Sequence, residues 1–252
     1  MMLFLRSFAF NLVMFGACFV LSAWARLTTK LKNRDSVLKK GQLWARITLR
    51  ALKRFCKIGV ALHGTEYLPA DGPALIAAQH QSAFDTLFWL TVLPRPAYVL
   101  KYELVRIPIF GKLLPASGFI AVDRDGGARS LRKMVAECRT AIAQGRQVVI
   151  FPEGTRVPAG ERGSIQPGIL ALARALQLPV IPASTDSGLY WGRKSFHKHP
   201  GTVTVTLHPP ITETAGRRGL LDELARIYYN DPVDNSVGYC AAQFGNKIEQ
   251  AR

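Results

Sequence analysis

The chain has 252 residues, of which 48% are hydrophobic, and it carries 33 Lys and Arg against 17 Asp and Glu. This apolar content is enough for a core, which excludes disordered, collagen-like and low-complexity proteins. The net charge of +16 predicts an anionic partner such as nucleic acid, an acidic membrane surface or a phosphorylated substrate. The four cysteines form no C-x-x-C pair, so neither a metal site nor a disulfide framework is expected.

The positive charge is concentrated near the N-terminus. Residues 1–60 hold 12 Lys and Arg and one acid, Asp35. The same segment contains an uncharged apolar run, residues 7–25, which as a helix reaches about 28 Å, close to the roughly 30 Å of a hydrocarbon core. Because basic residues follow this run, we expect a membrane anchor whose following domain stays on the cytoplasmic side.

A cleaved signal peptide is the alternative interpretation of the apolar run. Ala23-Trp24-Ala25 matches the small-x-small cleavage pattern. The dense positive charge just beyond that site would oppose translocation, however, and this favours a retained anchor.

A second helix is predicted over residues 36–57. Its apolar side chains recur at three- and four-residue spacing, and basic residues fill many other positions; the apolar set is Trp44, Ile47, Ala51 and Phe55. A basic amphipathic helix beside an apolar one is typical of an interfacial anchor on anionic lipid. The alternative is a solvated helix that packs its apolar stripe on the domain. The predicted organisation is therefore an anchor over 1–57, a folded domain over 58–230 and an unassigned tail over 231–252.

From residue 59 onward, short apolar runs alternate with helical patterns. Seven strands are predicted, over residues 60–63, 74–78, 97–100, 119–122, 148–151, 180–183 and 202–207. The clearest helices between and after them are 128–143, 169–176 and 217–229. This alternation predicts an α/β fold, a single mixed sheet flanked by helices. Pro182 lacks the N–H of a central ladder, so its strand should be bulged or at an edge.

The segment QHQSAFD, residues 79–85, follows an apolar strand and contains the first candidate site. His80 and Asp85 would lie about 140° apart on one helix, so they can meet only if His80 precedes the helix that Asp85 begins. Ser82 and Asp85 have the spacing of a capping box, which supports that geometry. A carboxylate bonded to one ring nitrogen would leave the other as a general base. The alternative is a plain helix cap beside an ordinary loop histidine.

The segment FPEGTR, residues 151–156, follows another strand and is suited to a phosphate. Gly154 allows close backbone approach, Thr155 offers a hydroxyl and Arg156 a charged fork. Glu153 would repel a phosphate, so we expect it to orient an arginine or bond a substrate hydroxyl. The alternative is a simple turn.

A further arginine, Arg124, ends the segment GFIAVDR at residues 118–124, where a strand delivers it to the edge of the sheet at which α/β sites gather. The chain has no G-x-S-x-G elbow, Walker loop, G-x-G-x-x-G or H-E-x-x-H motif. A stand-alone serine hydrolase is therefore disfavoured.

Taken together, these segments resemble the glycerophospholipid acyltransferase family, and within it the bacterial lysophosphatidic acid acyltransferases. Four segments match motifs of that family. HQSAFD matches the motif H-x4-D, GFIAVDR matches G-x5-R, FPEGTR matches the motif of the same sequence, and VIPAS at 180–184 matches V-x-P. The resemblance covers about residues 57–207. H-x4-D followed by FPEGTR is a specific combination.

The resemblance implies transfer of an acyl group from acyl-CoA or acyl carrier protein to the 2-hydroxyl of a lysophospholipid. His80, backed by Asp85, would be the base that activates this alcohol. The residues implied to hold the acceptor phosphate are Arg124, Gly154, Thr155 and Arg156, with Glu153 positioning it and Lys101 as a helper. Lysophosphatidic acid is the implied acceptor, no cofactor is needed, and anionic lipids of a bacterial inner membrane would surround the anchor.

Two positions depart from the family pattern: Gln79 stands where Asn is usual, and Gln166 where many members have Lys. The acceptor stays open between lysophosphatidate and lyso-ornithine lipid or another lysophospholipid. A thioesterase would use His80 to activate water instead. A nucleic-acid-binding protein would carry its basic surface on the folded domain, whereas here most of the net charge lies in the N-terminal arm.

Overall fold

The computed structural model describes residues 1–28, 33–212 and 216–229. Its strands are β1 Ile58–His63, β2 Ala74–Ala78, β3 Pro96–Lys101, β4 Ile120–Val122, β5 Gln147–Ile150, β6 Val180–Thr185 and β7 Gly201–Leu207. Its helices are α1 Met2–Thr28, α2 Arg34–Ala51, α3 Ala83–Val92, α4 Leu113–Ala116, α5 Gly127–Ala143, α6 Gly168–Leu176, α7 Ser187–Tyr190 and α8 Gly216–Tyr229. All seven predicted strands are confirmed within two residues at each end, and the three predicted helices within one. The predicted tail over 231–252 lies outside the described residues.

The strands form one sheet in the order β1-β7-β6-β2-β5-β3-β4, in which β6 and β7 are antiparallel and the other pairs are parallel. The mixed α/β sheet is therefore confirmed. Every residue of β2, β5 and β6 is buried, as expected for strands covered on both faces. One face packs on α2 and α3 and the other on α5, α6 and α8. The carboxyl ends of β2 and β5 meet at one edge, where both predicted motifs begin.

Pro182 does not place β6 at an edge, since β6 lies between β7 and β2. The ladder toward β7 is instead interrupted beside the proline, between the Ala183–Leu207 pair and an isolated bridge from Val180 to Ile211. The Pro182 carbonyl accepts a hydrogen bond from His208 N in this gap. The edge alternative was wrong. The strand accommodates Pro182 because the ladder toward β7 is interrupted there and does not need the missing N–H.

Helix α1 is long and apolar enough to cross a membrane by length and composition, and it is the one such helix among the residues described. Most of its large apolar side chains are exposed; the strongly exposed ones are Leu5, Leu12, Phe15, Phe19, Val20 and Leu27. It also packs along α2, where Trp44 Nε1 donates to the Met14 carbonyl at 3.0 Å. Helix α2 packs its apolar side on α1 and α3. Its contact with anionic lipid stays a prediction.

A buried lysine docks α1 on the domain. Lys198 is 2% exposed, its Nζ donates to Asn11 Oδ1 at 2.7 Å, and its backbone N donates to Ser7 Oγ at 3.1 Å. Three aromatic rings surround the ammonium group at 5.1–5.5 Å: Phe10, Trp191 and Phe196. Burial lowers the pKa of Lys198 to about 8. Two polar residues of the apolar run, Ser7 and Asn11, therefore receive hydrogen bonds from a buried lysine of the domain.

Candidate active site

The loop after β2 carries His80, and helix α3 begins immediately beyond it. Ser82 is the N-cap of α3: its Oγ accepts from Phe84 N at 3.1 Å, while Asp85 Oδ2 accepts from Ser82 N at 2.8 Å. The predicted capping box is confirmed. It fixes the rotation of the first helical turn, so the Asp85 carboxylate points back at the loop.

Asp85 both caps the helix and holds the imidazole. Its Oδ2 lies 2.9 Å from His80 Nδ1 and also accepts from Gln81 N at 2.9 Å, and its Oδ1 accepts from Ser187 Oγ at 2.6 Å. The carboxylate is 3% exposed. Because an ionised carboxylate only accepts, His80 Nδ1 carries the hydrogen of this bond. In the neutral imidazole this leaves the lone pair on Nε2, which has no hydrogen-bond partner among the residues described, as a general base needs.

The imidazole is also held from the side of β5. The ring of Phe151, the first residue after that strand, stacks on His80 at a centroid distance of 4.1 Å. The His80 backbone is bonded on both sides, since its N–H donates to Glu153 Oε2 at 2.6 Å and its carbonyl accepts from Val157 N at 2.8 Å. The two motifs predicted at the ends of β2 and β5 are therefore joined by direct hydrogen bonds.

Glu153 is the most buried member of the FPEGTR turn, at 3% exposure. In addition to the His80 N–H, it accepts a hydrogen bond from Tyr229 Oη at 2.7 Å through its Oε1. Burial raises its pKa to about 7, although the two hydrogen bonds act in the opposite direction. In the structure the carboxylate holds the peptide of His80 and the hydroxyl of Tyr229. That Glu153 orients an arginine or bonds a substrate hydroxyl stays a prediction.

The basic residues form the more open half of the site. Arg124, exposed at the end of β4, donates through Nη1 to the carbonyl of Gly154, whose φ of +69° is left-handed. Thr155 is exposed, and Arg156 is half-buried, with a pKa lowered by burial. The side chain of Arg156 has no hydrogen-bond partner among the residues described. A half-buried guanidinium with free donors is suited to an incoming anion.

Lys101 is the last residue of β3, the strand between β5 and β4, and it pairs in register with Val122 of β4. Its Nζ is 2.7 Å from Glu103 Oε1, and both side chains are about half exposed. The structure therefore places Lys101 at the same edge of the sheet as Arg124 but already in an ion pair.

Three residues of the site were missed by sequence reasoning: Ser187, Phe151 and Tyr229. Ser187 and Tyr229 come from α7 and α8, far along the chain from the residues they contact, and no local pattern indicates such a meeting. Phe151 lay inside a recognised motif, but its stacking on His80 depends on how β2 and β5 pair.

An open apolar cavity lies between the N-terminal helices and the domain. Its lining includes Leu21, Gly41, Trp44, Leu114 and Phe119. A series of aromatic contacts leads from this cavity toward the base. Phe119 packs edge-on against Tyr98 at 4.9 Å, and Tyr98 stacks at 6.2 Å on Phe151, the ring against His80.

The arrangement as a whole belongs to a group-transfer enzyme that activates a hydroxyl group: an oriented imidazole base, an adjacent turn suited to an anion, and an apolar cavity. Among the described residues, no group of three His, Cys, Asp or Glu side chains could hold a metal ion.

Comparison with known proteins gives the family. A family model described as "Acyltransferase" matches residues 59–186, and the chain belongs to this acyltransferase family. A "1-acyl-sn-glycerol-3-phosphate acyltransferase" of Pseudomonas aeruginosa is 33% identical over 182 residues, which cover 72% of this chain and 70% of the relative. The mouse "1-acyl-sn-glycerol-3-phosphate acyltransferase alpha" is 29% identical over 66% of this chain and 60% of its own length.

The fold is also found in a solved structure. The crystal structure of the 1-acyl-sn-glycerophosphate (LPA) acyltransferase PlsC from Thermotoga maritima superposes with a TM-score of 0.69 at 22% identity, covering 88% of this chain and 92% of that one. The predicted family and fold class are therefore confirmed.

Proposed function

We propose that this enzyme transfers an acyl group from acyl-CoA or acyl carrier protein to the sn-2 hydroxyl of 1-acyl-sn-glycerol 3-phosphate, giving phosphatidic acid for phospholipid synthesis. The observation that carries the proposal is the Asp85–His80 pair, with its free Nε2 beside the arginine-bearing turn. The names of the relatives support the same reaction.

The reaction needs no covalent enzyme intermediate. His80 Nε2 takes the proton of the sn-2 hydroxyl while the oxygen attacks the thioester carbonyl. The tetrahedral intermediate then expels the donor thiolate, and the imidazolium returns the proton to that sulfur. Asp85 stabilises the imidazolium through Nδ1 and keeps the ring in the required tautomer. The ester bond forms and the thioester bond breaks, so atoms and charge balance.

The acceptor phosphate would lie against Arg156, the N–H groups of the Gly154 turn and Arg124. Arg156 has free donors, and Arg124 already borders the turn through the Gly154 carbonyl. Thr155, exposed in the same turn, adds a hydroxyl. Lys101 would contribute only a long-range charge, since Glu103 holds it. Fixing both reactants in this way removes much of the entropic barrier to their encounter.

An acyl chain would enter the apolar cavity beside α1 and α2. The exposed lining is almost wholly apolar, and packed aromatic rings connect one wall of the cavity to His80. Chain length would then be limited by the depth of this cavity.

The enzyme would be bound to a bacterial inner membrane, with its catalytic domain on the cytoplasmic side. The exposed apolar face of α1 and the basic residues of α2 support this placement. Lys198 near one end of α1, and contacts of Ala25 with Val37 and Leu113 near the other, hold the helix against the domain. A helix docked along its length is suited to lie in one leaflet, with its exposed face toward the lipid.

The test is an acyl-transfer assay on the membrane fraction, with labelled acyl donor and two competing acceptors, lysophosphatidate and lyso-ornithine lipid. The proposal expects labelled phosphatidic acid as the main product. Predominant acylation of lyso-ornithine lipid would contradict the assignment of lysophosphatidate as the acceptor. Acceptor-independent release of free fatty acid would show a thioesterase instead.

A further inference from the structure

The last turn of α8 is inserted at the carboxyl ends of β2 and β5, where the site is built. Tyr229 Oη donates to Glu153 at 2.7 Å, and Tyr228 Oη donates to the carbonyl of Ala77 in β2 at 2.9 Å. The backbone carbonyl of Tyr228 accepts from Gln79 Nε2 at 3.0 Å. Helix α8 lies outside residues 59–186, the part of the chain that the family model matches.

Glu153 connects this helix to the base. One carboxylate oxygen accepts the Tyr229 hydroxyl, and the other accepts the backbone N–H of His80 at 2.6 Å. The ionised carboxylate is the form that accepts both hydrogens. A movement of Glu153 therefore moves the peptide that carries the imidazole, and misplacement of a reacting group by about 1 Å can cost about 100-fold in rate.

Gln79 adds a second connection between α8 and the loop. Its Nε2 donates to the Tyr228 carbonyl, while its Oε1 accepts from Thr185 N at the end of β6 at 3.1 Å. The shorter side chain of Asn falls about 1.5 Å short of this span. The departure from the usual family residue therefore has a structural reason in this chain, because Gln79 reaches two partners on different elements.

We propose that Tyr229 is a positioning residue for acyl transfer, which acts through Glu153 to hold the backbone of His80 in the geometry of proton abstraction. This inference rests on the proposed function, since it assigns Tyr229 a part in that same reaction. In this proposal Tyr229 itself contacts neither the acyl donor nor the lysophosphatidate that accepts the acyl group. Glu153, 3% exposed and bonded at both oxygens, transmits the effect.

The test is Tyr229→Phe, which keeps the ring and removes the hydroxyl. We expect kcat to fall about tenfold while the KM for lysophosphatidate stays within about twofold, because the phosphate-binding turn is intact. The matched control is Thr48→Val. It removes another buried hydroxyl, which donates to the Trp44 carbonyl within α2 at 2.8 Å, and it should leave kcat within about twofold.

The pH profile separates positioning from simple loss of stability. The hydrogen bond from Tyr229 favours the charged form of Glu153. Removing this hydrogen bond therefore raises the pKa of Glu153 above about 7. The acid limb of the kcat profile should then move to higher pH by about one unit. The charged or titratable groups around Glu153 are His80, Asp85 and Tyr228, with Arg162 over the Tyr229 ring at 6.0 Å. None of these is altered in the variant. The Thr48→Val profile should match wild type.

A double variant tests the route through Glu153. In a Glu153→Ala background, adding Tyr229→Phe should change kcat by less than about twofold, since the link is already broken. Full independent losses in the double variant, or wild-type kcat and an unshifted acid limb in Tyr229→Phe, would overturn the positioning role. Failure of the wild-type enzyme to acylate lysophosphatidate would instead overturn the proposed function, so the two failures are distinguishable.

Discussion

The half of the site that carries the base and the half that faces the phosphate differ in burial and in bonding. Asp85 and Glu153 are each 3% exposed, and every oxygen of both carboxylates accepts a hydrogen bond from the protein. Arg124 and Thr155 are exposed, and Arg156 is half-buried with free donors. The first half makes its hydrogen bonds within the protein, whereas the second would be completed by the proposed substrate.

The difference reflects what each half must do. A general base needs one orientation and one tautomer before the substrate arrives, and buried hydrogen bonds hold that arrangement at no further cost during the reaction. A phosphate site must exchange its ligand at each turnover, so its cations stay open to water. Substitutions in the first half should therefore affect kcat, and those in the second mainly KM.

The largest expected effect is that of His80→Ala. Loss of the base should lower turnover by about 10²–10⁴-fold while the enzyme stays folded and membrane-bound, measured by phosphatidic acid formation and by thermal unfolding. The matched control is His63→Ala. His63 is the last residue of β1, and β1 runs antiparallel to β2. His63 therefore lies at the edge of the sheet opposite to His80, and His63→Ala should leave turnover within about twofold. A tenth or more of wild-type turnover in His80→Ala would contradict the base assignment.

Arg156→Ala should have the next largest effect. We expect the KM for lysophosphatidate to rise about tenfold with kcat changed much less, because a charge-assisted hydrogen bond to phosphate is worth roughly 1.5–3 kcal/mol. Arg139→Ala is the control, since this arginine lies about 18 Å along α5 from its start and bonds the Ala175 carbonyl. An unchanged KM in Arg156→Ala would move the phosphate site elsewhere.

Lys101→Ala should have the smallest effect. Its charge is already paired with Glu103, both side chains are about half exposed, and such pairs contribute little. The KM for lysophosphatidate should change by less than about twofold when measured under the same conditions as for Arg156→Ala. A tenfold rise would show that Lys101 leaves Glu103 to bind the phosphate directly.

The sheet and the base were predictable from sequence because their signals are local. The apolar run of β2, the capping pattern of Ser82 and Asp85, and the five-residue spacing to His80 together leave few geometries. The strand order was not predictable, since it depends on pairings between distant segments such as β1 with β7.

The residues that hold the site from distant elements could not be predicted from sequence for the same reason. Ser187 and Tyr229 reach Asp85 and Glu153 across more than 70 residues of chain, and neither stands in a pattern that marks it. Glu153 was a candidate from sequence, but its contacts with His80 and Tyr229 were not predicted, because its sequence position says nothing about the inward direction of its side chain. The residue types near the end of a strand indicate which chemistry a site can perform. Their hydrogen-bond partners can be identified only from the tertiary structure.

The central claim is that His80 and Asp85 act as one unit, and a double-variant cycle tests it most directly. Turnover of His80→Ala, Asp85→Asn and the double variant would be measured with labelled donor and lysophosphatidate. If Asp85 acts through the imidazole, Asp85→Asn alone costs about 100-fold or more, but in the double variant it adds less than about twofold to the loss of His80→Ala. Losses that multiply in the double variant would contradict the account.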